Sequence, residues 1–425
     1  MLAWLFIAFF GLLTIGAPIA IALGGSSLLW VYLSGAVPDI TVLHRMVSGV
    51  DSFPLLAIPF FILAGTLMNE GGLTKQIFDF ALAAVGWLRG GLGHVNVWAS
   101  VIFAGMSGSA VADAGGLGSI EIKAMKDAGY DLDFTIGITG VSSTIGPIIP
   151  PSLPMVVFGV MASTSISRLF VAGFVPGILM ATALSVSVAW FAHKRKYPRD
   201  AAFSLRNLGR TFVRGLPALI TPAIIIGGIM TGIFTPTEAA IAAAAYALIL
   251  GLLYRTLDFK KLVKVSLETA ETTAIVLLIV AGASIFAWVL TANQFTEKFA
   301  AALLSISSNK YVILFIMNII LLVVGCFMET TAALTVLTPV FLPVATMLGV
   351  DPVHFGVIVV LNLMIGLITP PVGMVLFILA RISNVSFERC AKATTPFLFP
   401  LLAVLLLITF FPPLTMWLPG VVFGK

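Results

Sequence analysis

Two proline pairs decide the fold of this chain: residues 145–151 have the sequence IGPIIPP, and residues 365–371 have the sequence IGLITPP. Each pair lies in an apolar segment, and a proline removes a backbone donor and clashes with the preceding helical turn. The segments 134–149 and 354–369 would be helices about 24 Å long, shorter than the ~30 Å core of a bilayer. The sequence therefore predicts two helices that break inside a membrane.

The composition places the chain in a lipid bilayer. Hydrophobic residues make up 60% of the 425 residues and charged residues only 10%, whereas a soluble domain carries roughly 25% charged residues. Charges are absent from long stretches such as 134–167, 239–254 and 355–380. We predict an all-α polytopic membrane protein. A phosphate-binding loop and a basic stripe with interleaved aromatics are both absent from the sequence, which excludes a nucleotide-driven pump and a nucleic-acid-binding protein.

The proline motifs belong to a longer internal repeat. The same spacing of 220 residues pairs Gly105 with Gly325, Gly129 with Gly349, and Asp131 with Asp351. We therefore divide the chain into a first repeat over 1–192, a basic connector over 193–215 and a second repeat over 216–425. Basic residues beside spans stay on the cytoplasmic side, so the connector is predicted there and the two repeats are predicted to be inverted.

Two basic segments are predicted to lie on the cytoplasmic membrane surface. Arg206, Arg210 and Arg214 recur every four residues and so share one face of a helix. A second cluster contains Lys260, Lys261 and Lys264. Both patterns are typical of interfacial helices.

A second irregular element precedes each break. Residues 105–116, GMSGSAVADAGG, are too glycine-rich for a straight span, and their length predicts a re-entrant hairpin. Their counterpart is 325–331, GCFMETT. Glu329 stands in an otherwise uncharged stretch over 311–350, and an ionisable group inside a membrane segment indicates a functional site. Asp113 is the weaker candidate, because an aspartate can cap a hairpin tip.

Paired breaks of this kind mark the binding site of a secondary transporter. Unwound carbonyls and Ser/Thr hydroxyls provide the oxygen ligands that small hard cations take. We predict one cation site formed by Ser107, Ser109, Gly146, Ile149 and Pro151. By the repeat, we predict a second formed by Gly325, Met328, Thr330, Gly366 and Thr369.

An anionic substrate is predicted near the same breaks. The half-helix that follows each proline pair presents a positive N-terminus, which attracts a carboxylate. The candidate substrate-binding residues are Glu329, Ser165, Asn362 and Arg381. Arg381 is the only cation near the second break and is a candidate partner for Glu329 or for the substrate.

These motifs resemble the large membrane subunit of the tripartite ATP-independent periplasmic (TRAP) transporters. The resemblance rests on 105–116, on GVSSTIGPIIPPS over 140–152, on FTPTEAA over 234–240 and on 362–373. It implies an elevator-type transporter of the bacterial inner membrane that is driven by Na⁺. It also implies a small four-helix membrane subunit and a periplasmic substrate-binding protein as partners. The substrate would be an organic acid, with sialic acid favoured and C4-dicarboxylates next, and the chain length suits a separate large subunit.

Other functions are consistent with parts of the pattern. A stand-alone sodium/anion symporter would need no binding protein, and a passive channel would need no coupling. An intramembrane enzyme could use Asp113 and Glu329 as an acid–base pair, although these carboxylates occupy different motif contexts. We predict a transporter and not an enzyme.

Overall fold

The computed structural model describes residues 2–35 and 37–424. Within these residues the secondary structure is helical, and the one β-bridge joins Arg89 to Arg199. Eight of the described helical segments are apolar and at least 18 residues long, which is enough to cross a membrane. The prediction of an all-α polytopic membrane fold is confirmed.

Eleven α-helices form the first half of the described chain. They are α1 Leu2–Thr14, α2 Ile19–Ser34, α3 Ile40–Val50, α4 Ala57–Glu70, α5 Leu73–Val85, α6 Gly91–Ser107, α7 Ala110–Gly115, α8 Leu117–Asp127, α9 Leu132–Ser142, α10 Leu153–Met161 and α11 Ile166–Arg195. Short 3₁₀ turns precede α4 at Phe53–Leu56 and follow α9 at Ser143–Ile145.

Ten further helices follow in the second half of the described chain. They are α12 Leu205–Met230, α13 Pro236–Leu253, α14 Phe259–Ala292, α15 Phe295–Ile306, α16 Lys310–Phe327, α17 Thr330–Met347, α18 Pro352–Gly366, α19 Met374–Ser383, α20 Phe387–Phe410 and α21 Pro413–Phe423. The order matches the first half, with α12–α13 corresponding to α1–α2 and α16–α20 corresponding to α6–α11.

The two halves interlock through matching contacts. Helix α4 packs on α13, and α14 packs on α2. Farther along the chain, α10 packs on α17 and α19 packs on α7. The second part of each broken helix therefore lies against the hairpin of the other half, which brings both breaks into one central region.

Repeated residues begin the broken helices. Asp131 accepts a hydrogen bond from the backbone N–H of Phe134 at 2.8 Å, and Asp351 accepts one from Val353 at 2.7 Å. These carboxylates pair with backbone donors that a helix leaves unsatisfied at its start. Two residues earlier, Gly129 and Gly349 adopt φ values of +80° and +72°. The repeat thus includes the turn and the N-cap of each broken helix.

Both predicted breaks are confirmed. Regular helix stops at Ser142, gives way to a 3₁₀ turn over Ser143–Ile145, and resumes at Leu153. In the second half it stops at Gly366 and resumes at Met374. The peptide bonds Pro150–Pro151 and Pro370–Pro371 are cis. The predicted hairpins also occur. The first consists of α6 followed by α7 and α8, and the second consists of α16 followed by α17. The predicted irregular segments contain only the tips of these hairpins.

The basic segments differ from the prediction of separate surface helices. Arg206, Arg210 and Arg214 lie in the first turns of α12, which continues for 26 residues through the predicted boundary at 215/216. Lys260 and Lys261 likewise open the 34-residue α14. A span in hydrocarbon must satisfy its backbone groups internally, so each helix continues from the basic cluster into the apolar segment, in α12 even through Pro217 and Pro222.

The distribution of polarity is that of a membrane protein. Trp4, Phe10 and Val186 are more than half exposed on the outside, whereas Asn96 and Asn362 are fully buried. Hydrocarbon accepts the apolar exterior, while polar groups need partners inside the protein. The interior polar groups therefore mark where hydrogen bonding or ion binding takes place.

Candidate functional site

The first break leaves backbone oxygens without partners. Ser152 closes its far end, because the hydroxyl donates to the carbonyl of Pro147 and accepts from the backbone N–H of Met155. The carbonyls of Gly146, Ile149 and Pro151 accept no hydrogen bond from residues 2–35 or 37–424. Such unwound carbonyls are the ligands that transporters present to cations.

The tip of the first hairpin rests on this break. Gly108 joins α6 to α7 with φ +56°, and a Cβ placed there would be 2.4 Å from the carbonyl oxygen of Pro151. Glycine alone satisfies both the backbone angle and the space. The contact fixes the hydroxyl-bearing tip beside the free carbonyls.

Two side-chain oxygens complete this cluster. Ser107 Oγ and Asp113 Oδ2 are buried and have no hydrogen-bond partner in the described chain, while Asp113 Oδ1 lies 3.4 Å from Ser100 Oγ. A Cβ on Gly146 would be 3.6 Å from Asp113 Oδ2 and 4.0 Å from Ser107 Oγ. Buried polar atoms are rarely unpaired, and a group of oxygens of this kind is suited to a hard cation.

The remaining residues predicted for the first site have other contacts. Ser109 is the N-cap of α7, where its hydroxyl accepts from the backbone N–H of Ala112 at 3.4 Å. The side chain of Ile149 packs against Gly177 of α11. The structure therefore gathers Ser107, Gly146 and Pro151 around the hairpin tip, while the Ser109 side chain caps α7.

The second break repeats the arrangement by backbone contact. A Cβ on Gly366 would be 2.5 Å from the carbonyl carbon of Gly325, so α16 and α18 touch at these two glycines. Gly373 donates its N–H to the carbonyl of Cys326 at 3.1 Å. The second hairpin tip is thereby joined to both ends of the second break.

Oxygens without partners also occur at the second break. Thr330 Oγ1 is buried and unpaired within the described residues. The carbonyls of Gly325, Met328 and Thr369 accept no hydrogen bond from the same part of the chain. In contrast, the Thr369 hydroxyl donates to the carbonyl of Ile365 at 2.7 Å. The two hairpin tips differ in where the carboxylate lies, since Ala333 occupies the repeat position of Asp113 and Glu329 occupies that of Ser109.

Glu329 has a helix-capping position. Its carboxylate accepts from the N–H of Ala332 and from the hydroxyl of Thr331, both at 3.1 Å. The equivalent position of the first repeat is Ser109, which caps α7 in the same way. Arg381 lies exposed in the last turn of α19 and forms no ion pair with a described residue, so the structure has no Glu329–Arg381 pair.

Buried amides connect each hairpin to its broken helix. Asn362 donates to the carbonyl and the side-chain oxygen of Asn318 at 2.9 and 2.8 Å. In the first half, Ser142 donates to Asn96 at 2.6 Å and Asn96 donates to Thr139 at 2.7 Å. The sequence predicts Asn362 as a substrate ligand and does not predict its pairing with Asn318. The internal repeat offers a signal for it, because Ser142, which pairs with Asn96, stands 220 residues before Asn362.

Ser165 lies at a separate cavity of about 430 Å³. It caps α11 by accepting from the N–H of Arg168 at 3.3 Å. The cavity is bordered by further hydroxyls, which belong to Ser52, Ser163, Thr164, Ser167, Thr235 and Thr237. Two helices, α11 and α13, begin at its wall.

Comparison with known proteins identifies the family. Residues 6–414 match the family described as "Tripartite ATP-independent periplasmic transporter, DctM component". The chain belongs to this TRAP transporter family. A sialic acid TRAP transporter large permease of Vibrio cholerae is 45% identical over 415 residues, which cover 97% of each chain.

Other TRAP permeases share this similarity. A sialic acid permease of Haemophilus influenzae is 42% identical over 99% of this chain and 68% of its own length. A C4-dicarboxylate large permease of Pseudomonas aeruginosa is 40% identical over 87% of this chain and 87% of its own length. The chain is thus a TRAP large permease, a multi-pass protein of the inner membrane and not an enzyme.

The fold occurs in a solved structure as well. The YdaH transporter of Alcanivorax borkumensis covers 90% of this chain and 88% of its own length with a TM-score of 0.63 and 14% identity. At that identity the likeness concerns the fold alone.

Proposed function

We propose that this TRAP permease couples Na⁺ influx to uptake of an organic acid. The observation that carries the proposal is the oxygen cluster of the first break, in which Ser107 Oγ and Asp113 Oδ2 are unpaired beside the free carbonyl of Gly146. A buried carboxylate that is ionised needs a counter-charge. A sodium ion at this position would supply it.

The chemistry of the ligands favours a hard monovalent cation. The cluster has one carboxylate and otherwise neutral oxygens, which limits the charge available to a divalent ion. Within residues 2–35 and 37–424, no group of three or more His, Cys, Asp or Glu lies close enough to hold a metal. Transition metals prefer the nitrogen and sulfur ligands that His and Cys provide.

A second Na⁺ is proposed at the second break, on Thr330 and the carbonyls of Gly325 and Thr369. Binding at either break would tie a hairpin tip to its broken helix, because the ligands come from both. Each charge that moves through a membrane potential of 100 mV yields about 2.3 kcal/mol. Two ions would therefore drive substantial accumulation of substrate.

Sialic acid is the favoured substrate and a C4-dicarboxylate the next. Relatives of 45% and 42% identity are named as sialic acid permeases. The cavity beside Ser165 is rich in hydroxyls and borders the N-termini of α11 and α13. A helix N-terminus attracts a carboxylate, and the hydroxyls would pair with those of a sugar acid.

We propose two partners and an elevator mechanism. A periplasmic binding protein would deliver the acid, and a small four-helix membrane subunit would brace the permease. The crossed pairs α4–α13 and α2–α14 would form the static scaffold. The hairpins and broken helices would move together, because they interlock across the two halves.

The test is uptake of labelled sialic acid into proteoliposomes that contain all three proteins, with and without an inward Na⁺ gradient. Asp113→Asn and Ser107→Ala should raise the Na⁺ concentration for half-maximal uptake. Ser119→Ala is the matched control, because Ser119 lies in the same hairpin, is exposed, and its hydroxyl donates to the nearby carbonyl of Gly116.

Undiminished uptake without Na⁺ would refute the coupling. Equal Na⁺ dependence in Asp113→Asn and Ser119→Ala would refute the proposed site while leaving the coupling intact. Uptake by the permease alone would favour a stand-alone symporter, since a tripartite system requires its binding protein.

A further inference from the structure

A groove on the outer face of α11 and α20 has features that none of the proposed transport steps uses. Its volume is about 760 Å³, and it is bordered mainly by apolar side chains that include Trp190, Val186 and Phe399. Trp190 is 57% exposed and Phe399 is 70% exposed. The groove is therefore open to the surrounding acyl chains.

One end of the groove is strongly basic. Lys392 lies in its wall, and Lys194 Nζ lies 5.0 Å from the centre of the Trp190 ring. Neither lysine forms an ion pair within the described chain, although Glu388 stands one turn before Lys392. Cations that flank an apolar groove attract amphiphiles with anionic headgroups.

A smaller cavity of about 240 Å³ continues this basic end. It shares Phe191, Lys392 and Pro396 with the groove and is also bordered by Arg195 and Arg389. Arg389 Nε lies 2.6 Å from Asp133 Oδ1, and Arg195 pairs with Asp131. The aspartates neutralise the two arginines, and the exposed Glu388 carboxylate offsets part of the charge of Lys392, so the remaining positive charge lies on Lys392 and Lys194.

A packed floor separates the groove from the protein core. The rings of Phe191 and Phe397 lie 5.0 Å apart between α11 and α20, and Phe397 is 1% exposed. A bound molecule would thus enter from the lipid side and stay at the surface. Its apolar part would lie along Trp190 and Phe399, and its charge would lie at the lysines.

We propose that this groove binds an anionic phospholipid. The phosphate would lie between Lys392 and Lys194, and the acyl chains would follow the groove. The basic segment 193–199, which contains Lys194, is predicted on the cytoplasmic side, so the ligand would come from that leaflet. Basic pockets between helices on the cytoplasmic side characteristically hold such headgroups.

The test uses fluorescence of the full-length protein in nanodiscs. Brominated phosphatidylglycerol quenches nearby tryptophans, and the Trp190 signal is the difference between wild type and Trp190→Phe. We expect stronger quenching of Trp190 by brominated phosphatidylglycerol than by brominated phosphatidylcholine at equal mole fraction. Trp417, 63% exposed on α21, should be quenched equally by both lipids.

Charge variants locate the headgroup. Lys392→Gln and Lys194→Gln should each reduce the preference for phosphatidylglycerol about fivefold, the effect of one lysine near an anionic surface. Lys392→Arg should retain it. Lys310→Gln is the matched control, because Lys310 also lies 5.0 Å from an aromatic ring, that of Tyr311, away from the groove. Equal quenching of Trp190 by the two lipids would overturn the proposal.

Discussion

Gly108 and the carbonyl of Pro151 are in direct contact, which joins the first hairpin tip to the first break. A Cβ on Gly108 would approach the Pro151 oxygen to 2.4 Å, closer than side chains pack. The contact also determines where Ser107 lies relative to the unpaired carbonyls. The geometry of the proposed cation site therefore depends on the absence of one side chain.

Gly108→Ala should abolish this contact. The methyl group would push the tip away from Pro151, so we expect uptake to fall more than tenfold, at a cost above ~1.4 kcal/mol. The measurement is sialic acid uptake into proteoliposomes at saturating Na⁺, with protein incorporation checked for each variant.

Gly129→Ala separates packing from backbone conformation. Gly129 also has a positive φ, +80°, but a Cβ there would meet nothing within 4 Å. This variant carries only the conformational cost of about 1–2 kcal/mol, and its uptake should stay near that of wild type. If Gly108→Ala and Gly129→Ala lose transport equally, the contact with Pro151 does not account for the loss of uptake.

Gly366→Ala should destabilise the second hairpin. A Cβ on Gly366 would lie 2.5 Å from the backbone of Gly325, so α16 and α18 would have to separate. Overpacking of this kind typically costs about 1–3 kcal/mol. Thermal unfolding in detergent measures the effect. Gly227→Ala is the control, because a Cβ on this helical glycine would meet nothing within 4 Å. The unfolding midpoint of this variant should not fall.

Asn362→Ala should weaken the connection between α18 and the second hairpin. It removes two hydrogen bonds and leaves the buried oxygens of Asn318 without this donor, at a cost of about 1–3 kcal/mol. Asn293→Ala serves as control, because Asn293 follows the end of α14 and its side chain donates locally, to the carbonyl of Val289. A double mutant with Asn318→Ala should show coupling of about 0.5–3 kcal/mol. Additive effects would contradict a direct pairing.

The sequence is sufficient to predict the two helix breaks but not the roles of the acidic side chains beside them. Proline pairs inside short apolar segments have a local physical consequence, so Pro150 and Pro370 predict the two breaks, although regular helix ends earlier, at Ser142 and Gly366. The role of Glu329 depends on a turn that the sequence does not specify, and the structure makes it an N-cap. An aspartate at a hairpin tip has an ordinary capping role, which makes Asp113 the weaker candidate from sequence, whereas the structure gives that role to Ser109.

Long-range contacts could not be predicted either. The pairing of Asn318 with Asn362 joins residues on different helices, and no periodicity indicates it. The sequence predicts separate helices for the basic clusters, yet α12 continues through Gly215 and Pro217, which closely follow Arg214. Local rules thus located the elements, and tertiary packing decided which polar groups remained free.

Asp200 connects the basic connector to the first hairpin. Its Oδ2 accepts from the N–H of Leu92 at 2.8 Å, in the first turn of α6, and from the hydroxyl of Tyr130 at 2.6 Å. Burial, reinforced by the Asp200 carboxylate, raises the pKa of Tyr130 above its ordinary value. The tyrosine therefore stays protonated and remains a donor throughout the neutral range.

Asp200→Ala should lower the stability of the hairpin by about 1–3 kcal/mol, because it leaves the first turn of α6 and the Tyr130 hydroxyl without their acceptor. Tyr130→Phe should lose less, since it removes only one of the two bonds. Asp258→Ala is the matched control, because Asp258 caps only its own helix, through Lys261 at 2.7 Å. Hydrogen exchange at Leu92 distinguishes the cases: Asp200→Ala should accelerate it, whereas Asp258→Ala should not. Unchanged exchange in Asp200→Ala would show that the connector does not hold the hairpin.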